Sequence, residues 1–186
     1  MLDAANELFA ASGIDAVGVD AISERSGVSK STLYRHFPGK AELVAAYLQR
    51  HHERRIQEWF DALGTSDQAP ADRLLGLFDW LEEWFASREF RGCRFINTRT
   101  QVPDPSHPAH AIPRRHKEEI RLLLSEIARA GGARDAGELG HELILLVDGA
   151  VVHALLEGTP TPARRAKGLA ALALRQHGVD VTLPRG

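Results

Sequence analysis

Lys30, Ser31, Thr32, Tyr34, Arg35 and His36 fall within seven consecutive residues, with Ser29 directly before them and Lys40 shortly after. Hydroxyls, cations, a phenol and an imidazole at helical spacing are groups that meet nucleic-acid base edges and phosphates. Short serine and threonine side chains let a helix N-terminus come close to a base. Longer cationic and phenolic groups at the rim reach the backbone. Lys40 would add its charge to the positive end of the next helix and hold another phosphate.

That chemistry requires a short rod held out from a small core, and the flanking residues read that way. Val19 and Ile22 begin a short helix that Gly27 closes, and Ser29 is a good N-cap for the next because its hydroxyl accepts from a free backbone N–H. Phe37-Pro38-Gly39 ends that helix. Val19, Ile22, Val28 and Leu33 would join the pair into a helix-turn-helix. The same spacing also fits a plain three-helix bundle with a solvated polar face.

Helical periodicity runs through nearly every other segment, and no run alternates apolar and polar residues convincingly, so the expected fold is all-α with about nine helices. A first helix covers Leu2 to Ser12 and stops at Gly13. Lys40 to about Leu63 is a long fourth helix, in which His51, His52, Arg50, Arg54 and Arg55 read as a solvated face. A fifth covers about Ala71–Ser87, and a short sixth about Gly92–Thr100. Pro103, Pro105 and Pro108 enforce a loop. A seventh helix runs from about Ala109 to Ala130. The eighth, about Ala136–Glu157, is apolar almost all round from Leu143 to Leu156, and in a chain this small a second copy is the expected cover. Pro162 suits the start of a ninth helix that runs to Gln176. Helices 136–157 and 162–176 are therefore the expected homodimer surface.

Composition narrows the classes. The chain has 186 residues, 44% hydrophobic and 26% charged, with a formal net charge of −2. Residues 1–47 hold four cations and six carboxylates, yet all four cations lie between Arg25 and Lys40. A local basic face binds phosphate even when its domain is acidic overall. A single cysteine, Cys93, excludes an intrachain disulfide and suits a reducing cytoplasm. The apolar run Leu143–Leu156 contains Asp148 and His153 and is shorter than a membrane span needs, so no membrane association is expected. Asp104, His107, His110 and His116 match no zinc spacing, so neither a metal nor another cofactor is expected. No nucleophile has a convincing base and orienting partner, and no glycine-rich phosphate loop appears, so the chain reads as no enzyme.

The second part of the chain offers a small-molecule site. Trp80, Trp84, Phe85, Phe95 and Ile96 concentrate between residues 80 and 96. In a helical body they line a cavity with His116, Ile120, Asp148 and His153 opposite, or they are simply core. Arg99 pairs with an acidic ligand group, pairs with Asp148, or stays at the surface.

Leu8-Phe9, Gly13, Val19-Asp20-Ala21-Ile22, Gly27-Val28-Ser29, Thr32-Leu33-Tyr34-Arg35-His36-Phe37, Lys40 and Leu43 together resemble the N-terminal domain of the TetR (tetracycline-repressor) family. The resemblance covers about residues 2–48. It implies an all-α homodimer that binds a palindromic operator in double-stranded DNA, represses transcription and is released by a small-molecule effector of unknown identity. It places Lys30, Ser31, Thr32 and Arg35 where the recognition helix meets bases or nearby phosphates, and Tyr34, His36 and Lys40 at phosphate-contacting positions. It divides the chain into a DNA-binding domain, 1–47, and an effector-binding and dimerisation domain, 48–186. The alternative is a helical DNA-binding dimer without an effector, controlled by a protein partner. Two departures predict weaker DNA binding than is typical. The chain begins at Leu2 inside the first helix, where family members usually carry several further residues. Gly18 stands where a serine or threonine often caps the second helix.

Overall fold

A computed structural model describes residues 1–181 of the chain. Among these the elements are nine α-helices and one 3-10 turn. They run α1 (Leu2–Ser12), α2 (Val19–Ser26), α3 (Lys30–His36), α4 (Lys40–Ala62), α5 (Pro70–Ala86), α6 (Arg94–Gln101), the 3-10 turn Pro108–His110, α7 (Ala111–Ala130), α8 (Ala136–Glu157) and α9 (Thr161–Gln176). The all-α expectation holds.

Local signals set most of these ends. Gly27 closes α2 in the left-handed region at φ 68°, which a residue with a side chain adopts at a cost. Ser29 caps α3, its hydroxyl accepting from the Thr32 amide at 3.2 Å. Gly18 caps α2 with no side-chain hydrogen bond. Proline begins α5 one residue earlier than the apolar pattern indicates, since its fixed φ suits the first helical position. The segment expected to open α7 is instead the separate 3-10 turn. Pro113 then falls in the first turn of α7, where the missing N–H costs little.

The chain divides into two compact units. The first joins Met1–Arg55 to Cys93–His116. Its core gathers Ala5, Phe9, Ile14 and Val17 with Ile22, Leu33, Leu43, Val44, Tyr47 and Leu48, and it is completed by Phe95, Val102, Ala109 and Ile112. The helix-turn-helix thus rests on a core to which α6, the 3-10 turn and the start of α7 contribute.

The second unit joins Ile56–Gly92 to the described residues from Lys117 onward. Within it α9 packs on both α8 and α5. Two ion pairs strap α5 to α9, Lys167–Asp79 at 2.6 Å and Arg164–Glu82 at 3.1 Å. Helix α8 buries Leu139, Gly140, Leu143, Ile144, Val147, Ala150, Val151 and Ala154, the three-and-four spacing of one helix face. A β-carbon at Gly140 would overlap Ser125 Oγ and come within 3.0 Å of the Arg121 carbonyl, so α7 and α8 touch here backbone to backbone. By length and composition α8 is the one helix among the described residues suited to cross a membrane; its buried face is the kind a core helix presents.

Candidate nucleic-acid interface

Helix α3 buries one residue, Leu33, and turns the rest outward. Ser29, Lys30, Ser31, Tyr34, Arg35 and His36 are exposed, and Thr32 and Lys40 are half-buried. Leu33 and Ile22 are both fully buried, which fixes the two helices of the motif against each other. The Ser23 hydroxyl donates to the Val28 carbonyl at 2.6 Å and braces the turn between them. At the start of α3 the Ser29 hydroxyl lies 3.0 Å from Ser31 Oγ and 3.1 Å from Thr32 Oγ1. A cluster of three hydroxyls therefore sits at the N-terminus of a helix whose free amides point the same way, an arrangement that suits base edges or a phosphate.

Two cations near this face, Lys30 and Arg25, are paired with acids of the same unit, and Lys40 with a backbone carbonyl. Lys30 Nζ lies 2.7 Å from Asp20 Oδ1, and that hydrogen bond and charge hold the ammonium above the usual lysine range. Arg25 donates twice to Glu7, at 2.9 and 2.6 Å. Lys40 Nζ donates to the Asp15 carbonyl at 3.3 Å. The sequence pattern singled out Lys30 and missed its partner. Asp20 lies ten residues earlier, in the first turn of the preceding helix, and the fold of the motif brings the two together.

Beneath the motif, an aromatic and histidine cluster fills the junction of α4 with α6 and the start of α7. Phe95 stacks on His116 at a ring separation of 3.9 Å and lies 5.2 Å from His51. His52 Nδ1 and His116 Nδ1 are 3.0 Å apart. Burial, the guanidinium groups of Arg94, Arg54 and Arg55, and His52 push the His51 pKa down to about 2, so it is neutral at physiological pH. The solvated face expected of Arg50, His51, His52, Arg54 and Arg55 is corrected at His52 and Arg55, which are buried, while Arg50 and Arg54 are exposed. The missed signal is spacing: Val44, Leu48, His52, Arg55 and Trp59 recur every three or four residues on one face of α4.

The remaining small-molecule candidates fall in several places. Phe95 and His116 belong to the first unit, and Arg99 is exposed near the end of α6. Trp80 and Trp84 belong to the second, in a run of ring contacts from Trp59 through Trp80 and Trp84 to Phe85 and Phe90, at 4.9 to 6.0 Å. Ile120 is fully buried there. Asp148 forms an ion pair with Lys117, not with Arg99. His153 is exposed and lines a surface groove of about 280 Å³ between α8 and α9. The rest of that lining is Leu145, Leu146, Gly149, Ala150, Glu157, Pro162, Arg165, Ala166 and Leu169, none of them another candidate.

Known proteins resemble this chain over its N-terminal segment and over nearly its whole length. The family model described as bacterial regulatory proteins, tetR family, matches residues 1–47. The solved structure of a TetR-family transcriptional regulator from Streptomyces coelicolor superposes with a TM-score of 0.84. It is 31% identical and covers 95% of this chain and 93% of that one. The transcriptional activator FasR of Mycolicibacterium smegmatis is 36% identical over 108 residues, which is 56% of this chain. The chain spans about half of FasR, 47% of its length. The transcriptional repressor KstR of Rhodococcus jostii is 43% identical over 54 residues, 29% of this chain and 26% of that protein.

Proposed function

Because the chain belongs to the TetR family of DNA-binding transcriptional regulators, we propose that it represses transcription as a homodimer on a palindromic operator and is released by a small-molecule effector. In this reading residues 1–47 contact the operator. Ser29, Lys30, Ser31, Thr32 and Arg35 meet bases or nearby phosphates, and Tyr34, His36 and Lys40 hold the backbone. The observation that carries it is α3 itself, a seven-residue helix anchored by Leu33 alone, with its hydroxyls and cations exposed.

Dimerisation through α8 and α9 is supported by the apolar surface they leave open. Leu145 is 70% exposed, Leu156 76%, Leu169 54% and Leu172 58%, with Val152 and Leu155 beside them. A contiguous exposed apolar face of this kind calls for a covering partner, and a two-fold copy presents the same face in return. Such a dimer sets two recognition helices about 34 Å apart, one per major groove. The protein acts in the cytoplasm, where its DNA is. The effector contacts the second unit near Trp80 and Trp84, and it releases the operator by binding one arrangement of the dimer more tightly than the other.

Enrichment of duplexes from a random pool, followed by mobility-shift titration, tests this reading. A two-fold symmetric sequence is expected. Molecules that quench tryptophan emission should weaken binding, and unchanged operator affinity at saturation would reject release by an effector. The mutual contact of the tryptophan rings and the Lys117–Asp148 pair favour a second reading, a DNA-binding dimer governed by a protein partner.

A further inference from the structure

The Ile14 amide is a half-buried donor that α1 does not satisfy. Gly13 closes α1 at φ 80°, ψ 162°, and this backbone turns the chain away from the helix instead of folding it back. The Ile14 N–H therefore has no carbonyl of α1 to meet. It donates instead to Gln101 Oε1 at 2.8 Å, from a residue 87 positions away. The carboxamide occupies space left by Gly13, where a β-carbon would lie 3.3 Å from Oε1. Ile14 is 5% exposed and Val17 4%, so the turn is anchored in the core by both. The next residue, Asp15, offers its carbonyl to Lys40 Nζ.

We propose that Gln101 is a positioning residue for DNA binding: it ties the end of α6 to the α1–α2 turn, and that turn aims Lys40 at the duplex. The inference rests on the reading that Lys40 contacts a phosphate. Helix α6 is itself held by its other end, since Arg94 donates to Asn6 Oδ1 at 2.6 Å and Phe95 stacks on His116. Any shift that withdraws the C-terminal end of α6 removes the partner of Ile14 and loosens the carbonyl that orients Lys40. The first forty residues are thus correctly arranged only while a segment some sixty residues further on is docked against them.

The full-length protein tests this with a duplex that the wild type enriches from a random pool. Gln101→Met keeps the length of the side chain and removes the acceptor. It is expected to weaken binding about fivefold, of the order that one hydrogen bond carries, and to lower the salt dependence of binding by about one phosphate contact. Added to Lys40→Ala it should cost little more, because both changes lose the same contact. A merely destabilising substitution would add its loss to that of Lys40→Ala, and that result, or unchanged affinity, overturns the proposal. Hydrogen exchange of the Ile14 amide in the wild type is a second measurement that needs no variant. Saturating duplex should slow it several-fold, since DNA that requires the tied turn must in return protect it; an unchanged rate overturns the tie. A wild type that enriches no duplex would overturn the operator reading and this inference together. Enrichment with an unaffected Gln101→Met overturns this inference alone.

Discussion

Asp20 Oδ1 lies 2.7 Å from Lys30 Nζ, so the first cation of α3 is held by a carboxylate of the helix before it. Both side chains are largely exposed, and a pair of this kind contributes little to stability. If Lys30 meets the operator as proposed, a phosphate must compete with Asp20 for it. Asp20→Asn is expected to tighten binding to all duplexes by a factor of about three to ten in 0.1 M salt and to steepen the salt dependence. Titrations of one enriched and one unrelated duplex at several salt concentrations check this. Equal or weaker binding would show that Asp20 does not restrain Lys30.

Tyr34→Ala and Lys40→Ala should weaken binding to every sequence alike, because backbone contacts carry little sequence information. Substitutions at Lys30 or Thr32 should alter the order of preferred sequences. Repeating the enrichment with each variant separates the two groups. A changed preference in Lys40→Ala would reassign that residue to base contact.

Leu156→Glu and Leu169→Glu place charges on the open face of α8 and α9, where the native side chains are 76% and 54% exposed. Neither should lower the helical content of the isolated chain. Both should shift sedimentation from dimer to monomer and abolish high-affinity binding to a symmetric duplex. A dimer that withstands both substitutions would locate the contact elsewhere.

His51 links folding to acidity. Its pKa falls to about 2 in the folded chain, from an ordinary value near 6.5 in the unfolded one. Between these values the unfolded state binds more protons, so His51 makes stability rise with pH across that window and fall on acidification. The loss grows from pH 6.5 downward and reaches about 2 kcal/mol at pH 5 for one proton. Urea unfolding of wild type and His51→Gln at pH 7.5 and pH 5 reads this directly. The wild type should lose more stability than the variant over that interval, and equal losses would contradict it.

How far the sequence reveals this protein depends on how far apart the interacting residues lie. Gly27, Ser29 and the Phe37-Pro38-Gly39 break are local signals, and they place α2 and α3 within a residue. The ends of α8 are equally plain, because Gly158 follows a long apolar run. The tie from Gln101 to Ile14 spans 87 positions and leaves no local pattern. The junction of His52, His116 and Phe95 is hidden for another reason. His52 lies among arginines that suggest a wet surface, yet it sits four residues beyond Leu48, on the buried side of α4. The candidates around Trp80 could be recognised as aromatic and clustered, but which atoms each would face is set by packing between distant helices.

The apolar floor under the helix-turn-helix has a practical consequence for protein engineering. Phe95, Val102, Ala109 and Ile112 complete that floor from the far side of α5 in the chain. A chimera that grafts only residues 1–47 onto a foreign body would leave Phe9, Val44 and Tyr47 beside whatever that body supplies. Transplanting the reader intact therefore calls for a two-piece graft, in which residues 93–116 travel with it.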